Sequence, residues 1–153
     1  MKNKINLLRK GFDKKGWNMI IGIGSDIVNI KRIEKMILKF GKKFENKIYS
    51  DTENFYIKEK KNLIEAYASR WAAKEACLKA LGLGIFFGIS LKEIVVENEK
   101  NGKPFLYLKG AALERLKVIM PKNFSYKTHL TMSHDFPYAQ ATVLIEGYKK
   151  NIK

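Results

Sequence analysis

The feature that most constrains the fold is a long helical segment, residues 66–81, that is rich in alanine. Its larger apolar side chains recur at helical spacing, and Gly82 follows as a helix stop. The small residues within it are Ala68, Ala72, Ala73, Ala76 and Ala80. Because these side chains are short, another backbone can approach the helix closely. The segment therefore predicts a long helix packed directly against a sheet.

A strand pattern that carries glycines provides a neighbour for this helix. Residues 19–24 form a short apolar segment of strand type, and Gly22 and Gly24 lie within it. Glycine inside a strand often marks a place where another backbone comes close. We therefore expect this strand to lie near the alanine-rich helix.

The remaining patterns complete the predicted order of elements. An amphipathic helix with a cationic face follows Asp26, and capping signals at 50–53 and 62–65 open two more helices, the second of which is the long one. Residues 101–102, Asn-Gly, suit a type I′ hairpin turn. The later elements are predicted as strands over 89–97 and 103–108, a helix over 110–120, and strands over 129–134 and 138–146. Strands and helices do not alternate strictly, which predicts an α+β fold with a mixed or antiparallel sheet packed on the long helix.

Length and composition indicate one small domain. The 153 residues suit a domain over 19–148, preceded by a basic, loosely ordered extension at 1–18 and followed by a basic tail at 149–153. The longest apolar stretch, 81–89, is shorter than the roughly 20 residues that a membrane span needs. We therefore expect a cytoplasmic protein without a membrane span, and its single cysteine rules out an internal disulfide.

The charge balance indicates an acidic partner. Lysine and arginine number 30 against 15 acidic residues, for a formal net charge of +15. The positive electrostatic field of such a chain speeds its encounter with any acidic molecule, but it does not identify which molecule binds. Only four of the cations are arginine, the usual reader of base edges and phosphates. This scarcity makes nucleic acid a weak candidate for the main partner.

Two carboxylates predict a site for a hard cation. One cysteine and two histidines cannot form a structural zinc cluster, so any metal is expected to be bound by oxygen. Glu75 and Lys79 share one face of the long helix, with Arg70 beside that face, and the small residues between them let Asp26 come close to Glu75. Magnesium with a diphosphate substrate suits such a set. Taken alone, Glu75 and Lys79 are also an ordinary surface ion pair.

Other chemical motifs fail on inspection. Residues 22–24, Gly-Ile-Gly, imitate the start of a dinucleotide fingerprint, but the third glycine is missing. Residues 133–135, Ser-His-Asp, hold the residue types of a hydrolase triad. Neighbours on a strand point to opposite faces, however, so they cannot form the triad relay.

Five ordered segments resemble the signatures of one enzyme family. They are IGIGSDIV at 21–28, KRI at 31–33, RWAAKEACLKA at 70–80, NGKP at 101–104 and MSHD at 132–135. In order and spacing, from about residue 19 to residue 146, they resemble the bacterial holo-acyl-carrier-protein synthases of the 4′-phosphopantetheinyl transferase family. Trp71 and Leu83 stand where that family has Phe and Thr, and residues 85–88 are bulkier than usual, which affects the expected shape of the cofactor cleft.

The resemblance implies a reaction and roles for its central residues. The reaction transfers 4′-phosphopantetheine from coenzyme A to a serine of apo-acyl carrier protein, releases adenosine 3′,5′-bisphosphate and supports fatty acid biosynthesis. Asp26 and Glu75 match the family's magnesium ligands, and Lys79 matches a lysine near the diphosphate, where its charge stabilises the developing negative charge. The base for the serine proton is open between Glu75 and a metal-ordered water.

The resemblance also implies where the substrates bind. Coenzyme A is expected at Arg70, Lys79, Gly82, Gly84 and His134, and His134 joins Glu75 and Lys79 as a catalytic candidate. For Gly82 the alternative is a plain helix C-cap, and for His134 a structural hydrogen bond at a strand end.

The family also suggests a docking surface and an assembly. The acidic carrier protein is expected on the cations Arg32, Lys35, Lys39, Lys43 and Lys47, for which a solvated lysine face is the alternative. The family forms compact trimers with active sites between subunits, so a homotrimer is expected in which a second chain supplies part of the site.

A nonenzymatic basic module, for example one that binds ribosomal RNA, is the alternative class. It needs aromatic residues interleaved with cations on an exposed face. The pairs at 55–56 and 86–87 are aromatic, but both fit a core or a cleft. A family member that has lost catalysis is disfavoured because Asp26, Glu75 and Lys79 are all retained.

Overall fold

The computed structural model of the chain describes residues 18–83 and 88–149. In chain order its elements are β1 (Asn18–Asn29), α1 (Ile30–Phe40), α2 (Lys42–Ile48), α3 (Asp51–Lys58), α4 (Leu63–Ala80), β2 (Ile94–Asn98), β3 (Pro104–Leu108), α5 (Gly110–Ile119), β4 (Phe124–Asp135) and β5 (Tyr138–Lys149). The predicted order of strands and helices is confirmed within these residues.

Two antiparallel sheets form the β part of the fold. The larger has the strand order β1-β5-β4, and the smaller is the hairpin of β2 and β3. The long helix α4 packs on β1 and β5, with Val143 and Ile145 among the buried core residues. Thr128 Oγ1 on β4 donates to the Leu106 carbonyl oxygen on β3 at 2.6 Å, which links the sheets. The predicted α+β fold with an antiparallel sheet on the long helix is confirmed.

Two glycines explain how closely α4 lies on β1. A Cβ added to Gly22 would lie 1.9 Å from the Ala80 carbonyl oxygen, and one added to Gly24 would lie 2.0 Å from that of Ala76. Real side chains do not fit in that space, so the contact requires glycine on the strand. Both alanines are buried beneath it. The expected close contact between the glycine strand and the alanine-rich helix is present.

A buried ion pair joins α3, α4 and the start of β2. Lys74 Nζ donates to Glu53 Oε2 at 2.9 Å, and neither side chain has any exposed area. The other two ammonium protons go to the carbonyl oxygens of Leu91 and Ile94. Glu53 Oε1 accepts from the Val96 N–H at 3.3 Å. All three donors of the lysine are therefore satisfied inside the core.

Both predicted helix N-caps are present. Ser50 Oγ accepts from the Glu53 N–H at 3.2 Å, and Glu53 Oε2 accepts from the Ser50 N–H at 2.8 Å, which completes a capping box at the start of α3. Asn62 Oδ1 accepts from the Glu65 N–H at 3.3 Å at the start of α4. These caps fix where the two helices begin.

Three strand predictions are corrected. The strand predicted over 19–24 runs to Asn29, so Asp26 lies within it. The strand predicted over 129–134 begins already at Phe124. Residues 91–93 form a 3₁₀ turn, so the strand predicted over 89–97 begins only at Ile94. The following hairpin is also not of type I′: of its two expected turn residues only Gly102 has a positive φ, 88°, whereas that turn type needs two.

The cationic helix is shorter than its sequence pattern suggests. Gly41, with φ 50°, ends α1, and a new helix begins at Lys42. Lys43 and Lys47 therefore lie on α2 and do not continue the stripe of α1.

The predicted extension and tail lie outside the described residues, apart from their inner ends. Asn18 belongs to β1 and Lys149 to β5. Within residues 18–83 and 88–149, no helix is long and apolar enough to cross a membrane.

Candidate active site

The close packing of α4 on β1 brings Asp26 next to Lys79. Side chains alternate along a strand, so Asp26 faces the helix as Gly24 does. Lys79 Nζ lies 2.8 Å from Asp26 Oδ1 and 2.8 Å from the Ser25 carbonyl oxygen. The Lys79 and Asp26 side chains are 51% and 18% exposed. The ion pair thus lies at the edge of the solvent, where a substrate can reach it.

Glu75 completes this group from the preceding turn of α4. The residue is 5% exposed. Burial raises the pKa of Glu75, the nearby Asp26 carboxylate raises it further, and Lys79 and Arg32 oppose the shift. The two carboxylates are therefore close enough to repel each other. We call Asp26, Glu75 and Lys79 the Asp26 cluster.

The oxygen donors of the Asp26 cluster suit a divalent cation. Two carboxylates that repel each other are stabilised by a cation between them. Among the described residues no group of three or more His, Cys, Asp and Glu side chains gathers at one point. A cation at Asp26 and Glu75 would complete its coordination with oxygens of water or substrate, as magnesium typically does.

Arg70 and His134 line a different space, a cleft of about 370 Å³. Lys60 and Lys61 also face this cleft, which we call the Arg70 cleft. His134 Nε2 lies 3.5 Å from Glu65 Oε2. No member of the Asp26 cluster lines this cleft, so the structure divides the predicted site residues of one chain between two places.

Arg70 is a buried cation with a spare donor. It is 3% exposed, and its Nη2 donates to Asn98 Oδ1 at 2.9 Å. Its Nε has no hydrogen-bond partner among the described residues. Burial lowers the pKa of Arg70, while the charge of Glu53 raises it. One donor of this buried guanidinium is therefore left unused within the described residues.

The glycine that follows α4 forms a helix C-cap. Gly82 has φ 69°, its N–H donates to the Lys79 carbonyl oxygen at 3.0 Å, and the Leu83 N–H donates to that of Leu78 at 2.9 Å. This pattern is a common helix ending in which glycine adopts a left-handed conformation. Gly84 lies outside the described residues.

The predicted docking cations form an exposed surface. Arg32, Lys35 and Lys39 lie on α1, and Lys43 and Lys47 lie on α2. Arg32 Cζ lies 5.9 Å from the centre of the Trp71 ring on α4. Arg32 is also close enough to Glu75 for its charge to oppose the rise in the pKa of that carboxyl group. This end of the surface therefore adjoins the Asp26 cluster.

Sequence reasoning missed Tyr56 and Lys60, which both face the Arg70 cleft. In the sequence, Tyr56 is one half of an aromatic pair with Phe55, and Lys60 is one of many lysines. Lys60 Nζ lies 4.0 Å from the centre of the Tyr56 ring. This contact depends on how the chain folds, and no spacing in the sequence indicates it.

Comparison with known proteins identifies the class to which this fold and site belong. The family model described as the 4′-phosphopantetheinyl transferase superfamily matches residues 22–138. The chain therefore belongs to the 4′-phosphopantetheinyl transferase superfamily.

Relatives of this chain within that superfamily include holo-[acyl-carrier-protein] synthases. The one from Caulobacter vibrioides is 46% identical over 86% of this chain and 99% of its own length. The crystal structure of the Neisseria meningitidis synthase has a TM-score of 0.71 at 34% identity, and covers 83% of this chain and 98% of its own. That of the Bacillus anthracis synthase, in complex with CoA (3′,5′-ADP), has a TM-score of 0.66 at 35% identity, and covers 86% and 99%.

These relationships confirm the family, the fold class and the enzyme class predicted from the sequence. The predicted function, phosphopantetheine transfer that makes holo-acyl carrier protein, is confirmed at the level of the family.

Proposed function

We propose that this chain transfers 4′-phosphopantetheine from coenzyme A to a serine of an acidic apo-acyl carrier protein, with magnesium, and releases adenosine 3′,5′-bisphosphate. The Asp26 cluster carries this proposal, because Asp26 and Lys79 meet at a solvent edge that a diphosphate can reach, and the buried Glu75 carboxylate acts on Asp26 from the preceding turn of α4. The reaction would take place in the cytoplasm and support fatty acid biosynthesis.

Asp26 and Glu75 would hold the magnesium ion. When bound, the ion polarises the phosphorus under attack and neutralises charge on the leaving phosphate. Lys79 contributes a positive charge at the same place. Because its side chain is half exposed, it can turn from Asp26 towards an oxygen of the diphosphate and stabilise the charge that develops there.

Glu75 would receive the proton of the attacking serine, directly or through one ordered water. The serine oxygen forms a bond to the phosphorus that carries pantetheine, and the bond from that phosphorus to the adenosine bisphosphate oxygen breaks. A base is most effective when its pKa is closer to neutral than that of an ordinary carboxylate. Without a cation, burial and Asp26 shift the pKa of Glu75 in that direction, and a cation bound to both carboxylates would oppose the shift.

The Arg70 cleft would bind the adenosine bisphosphate part of coenzyme A. Guanidinium and ammonium groups are the natural partners of phosphate oxygens. Arg70, Lys60 and Lys61 face this space together with His134. Gly82, which follows α4, would lie close to the bound cofactor, and the family resemblance assigns Gly84 the same role.

A homotrimer would bring the two places together. The outer face of the larger sheet exposes apolar side chains, with Ile23 and Ile27 on β1 exposed by 64% and 61%. A second copy that packs on this face would cover them. The Arg70 cleft of one subunit would then adjoin the Asp26 cluster of the next, as the family's shared sites imply.

The cationic surface of α1 and α2 would dock the acidic carrier protein. Its cations are exposed, and Arg32 adjoins the Asp26 cluster. Complementary charge favours a fast encounter that salt weakens. The carrier serine would be delivered to the end of α1 that lies nearest Glu75.

The intact mass of the carrier protein tests this proposal. Purified enzyme is incubated with coenzyme A, magnesium and apo-acyl carrier protein, alongside Asp26→Ala and Glu75→Ala variants and the surface control Glu114→Ala. We expect a metal-dependent gain of one phosphopantetheine group, which the control retains and both site variants lose. No gain with several bacterial carrier proteins would contradict the proposal.

A further inference from the structure

Two cations of the Arg70 cleft lie against one aromatic ring. Tyr56, near the end of α3, is half-buried and lines the cleft. Lys60 Nζ lies 4.0 Å and Arg70 Cζ 4.6 Å from the centre of its ring. Both distances are within the range of about 6 Å in which a cation is attracted by the face of a ring.

The two cations are held there by different means. Arg70 comes from the buried side of α4 and is also anchored by Asn98. Lys60 follows α3 on the surface, and it is exposed. A lysine in that setting normally extends into water, and here it is also repelled by the guanidinium. The Tyr56 ring therefore contributes more to the position of Lys60 than to the position of Arg70.

We propose that Tyr56 is a positioning residue for the cofactor: its ring holds Lys60 beside Arg70 so that both cations bind the same phosphate-bearing part of coenzyme A. This inference rests on the function proposed above, which assigns the nucleotide to the cleft. Tyr56 itself takes no part in the chemistry, so it affects binding and leaves the transfer step unchanged.

Adenosine 3′,5′-bisphosphate is the probe that tests this role in the full-length enzyme. Calorimetric titration compares the wild type with Tyr56→Leu, which removes the ring, and with Tyr56→Phe, which keeps it. We expect binding to weaken about tenfold in Tyr56→Leu and to stay within about twofold of wild type in Tyr56→Phe. Equal affinities of the wild type and Tyr56→Leu would overturn the proposal.

Kinetics separate positioning from a general loss of structure. In Tyr56→Leu the KM for coenzyme A should rise by the same factor as the dissociation constant, while kcat per folded molecule stays within about twofold. A fall in kcat with an unchanged KM would overturn the assignment. The melting temperature of each variant establishes the folded fraction.

A double-mutant cycle tests whether Tyr56 acts through Lys60. Lys60→Met should weaken binding of the probe, and adding Tyr56→Leu to it should cost little more, because the ring then has no lysine to hold. Fully additive effects would contradict the proposed route. Suppose that the wild type transfers phosphopantetheine, but that substituting Lys60 or Tyr56 leaves its affinity for the probe unchanged. The inference about Tyr56 then fails and the proposed function stands. If the wild type transfers no phosphopantetheine, the proposed function fails.

Discussion

Two ion pairs on the same helix have nearly the same length and opposite surroundings. Lys74 meets Glu53 at 2.9 Å with both side chains fully buried, and Lys79 meets Asp26 at 2.8 Å with both in reach of solvent. Their lysines are five positions apart on α4. The comparison teaches that burial, and not the length of the bond, separates a structural pair from one that is available for chemistry.

The surroundings explain the difference in physical terms. The ammonium group of Lys74 has three acceptors and no water, so any change leaves a buried charge without a partner. Lys79 can exchange Asp26 for water or a substrate oxygen at little cost, because exposed ion pairs contribute weakly to stability. Glu75 lies between the two lysines in the sequence, and the alanines of α4 hold it near Asp26.

The largest effect is expected from Glu75→Gln. The variant keeps the shape of the side chain but removes its charge and its ability to take a proton. We expect transfer activity to fall by about 10²–10⁴-fold, with no loss of stability, because a buried carboxylate near Asp26 is itself repelled. Activity and melting temperature are measured together, with Glu114→Gln as the surface control. Activity close to wild type would remove Glu75 from the chemistry.

The next largest effect is expected from breaking the buried pair. Lys74→Met leaves the Glu53 carboxylate buried without its cation, and the free energy of unfolding should fall by about 3–5 kcal/mol. Urea denaturation measures this loss. The double variant with Glu53→Gln should recover part of the loss, since no uncompensated charge remains. A double variant less stable than Lys74→Met would show that the charge is not the cause.

A smaller effect is expected where β1 touches α4. In Gly24→Ala the new methyl group would lie 2.0 Å from the Ala76 carbonyl oxygen, so the strand must move away from the helix. We expect a loss of about 1–3 kcal/mol, as for overpacked sites, and weaker transfer because Asp26 moves with the strand. Glu114→Ala is the control, since the Glu114 side chain is 67% exposed on the surface of α5. Unchanged activity would show that this contact does not position Asp26.

The smallest effect concerns salt. The stability difference between the wild type and Lys74→Met should be the same at 50 and 500 mM KCl to within about 0.5 kcal/mol, because ions do not reach a fully buried pair. The kcat/KM for the carrier protein should fall over the same range, by about tenfold, as its docking on exposed cations is screened. A stability difference that shrinks with salt would show that the Lys74 pair is open to solvent.

The parts of the site that follow from local rules could be predicted from the sequence. Alanine spacing and the glycines of β1 indicate the close contact that brings Asp26 to the face of α4 that carries Glu75 and Lys79, because such an approach requires small side chains. The capping box at Ser50 follows from its spacing to Glu53 in the same way.

Long-range contacts could not be predicted in this manner. The partner of Lys74 lies on another helix, and the sequence of α4 does not show which of its lysines is buried. The same holds for His134, which lies beside Glu65 in the Arg70 cleft and not in the Asp26 cluster. These placements depend on how the helices and sheets pack, which motif spacing does not encode.

The most direct test of this account compares Lys79→Met with Lys74→Met in one experiment, with transfer activity per folded molecule and melting temperature as the two readings. We predict that Lys79→Met loses about 10²-fold in activity with its melting temperature within about 2 °C of wild type. Lys74→Met should instead lose about 10 °C in melting temperature and keep its activity within about threefold. The reverse pattern, with activity lost at Lys74 and stability lost at Lys79, would contradict the account.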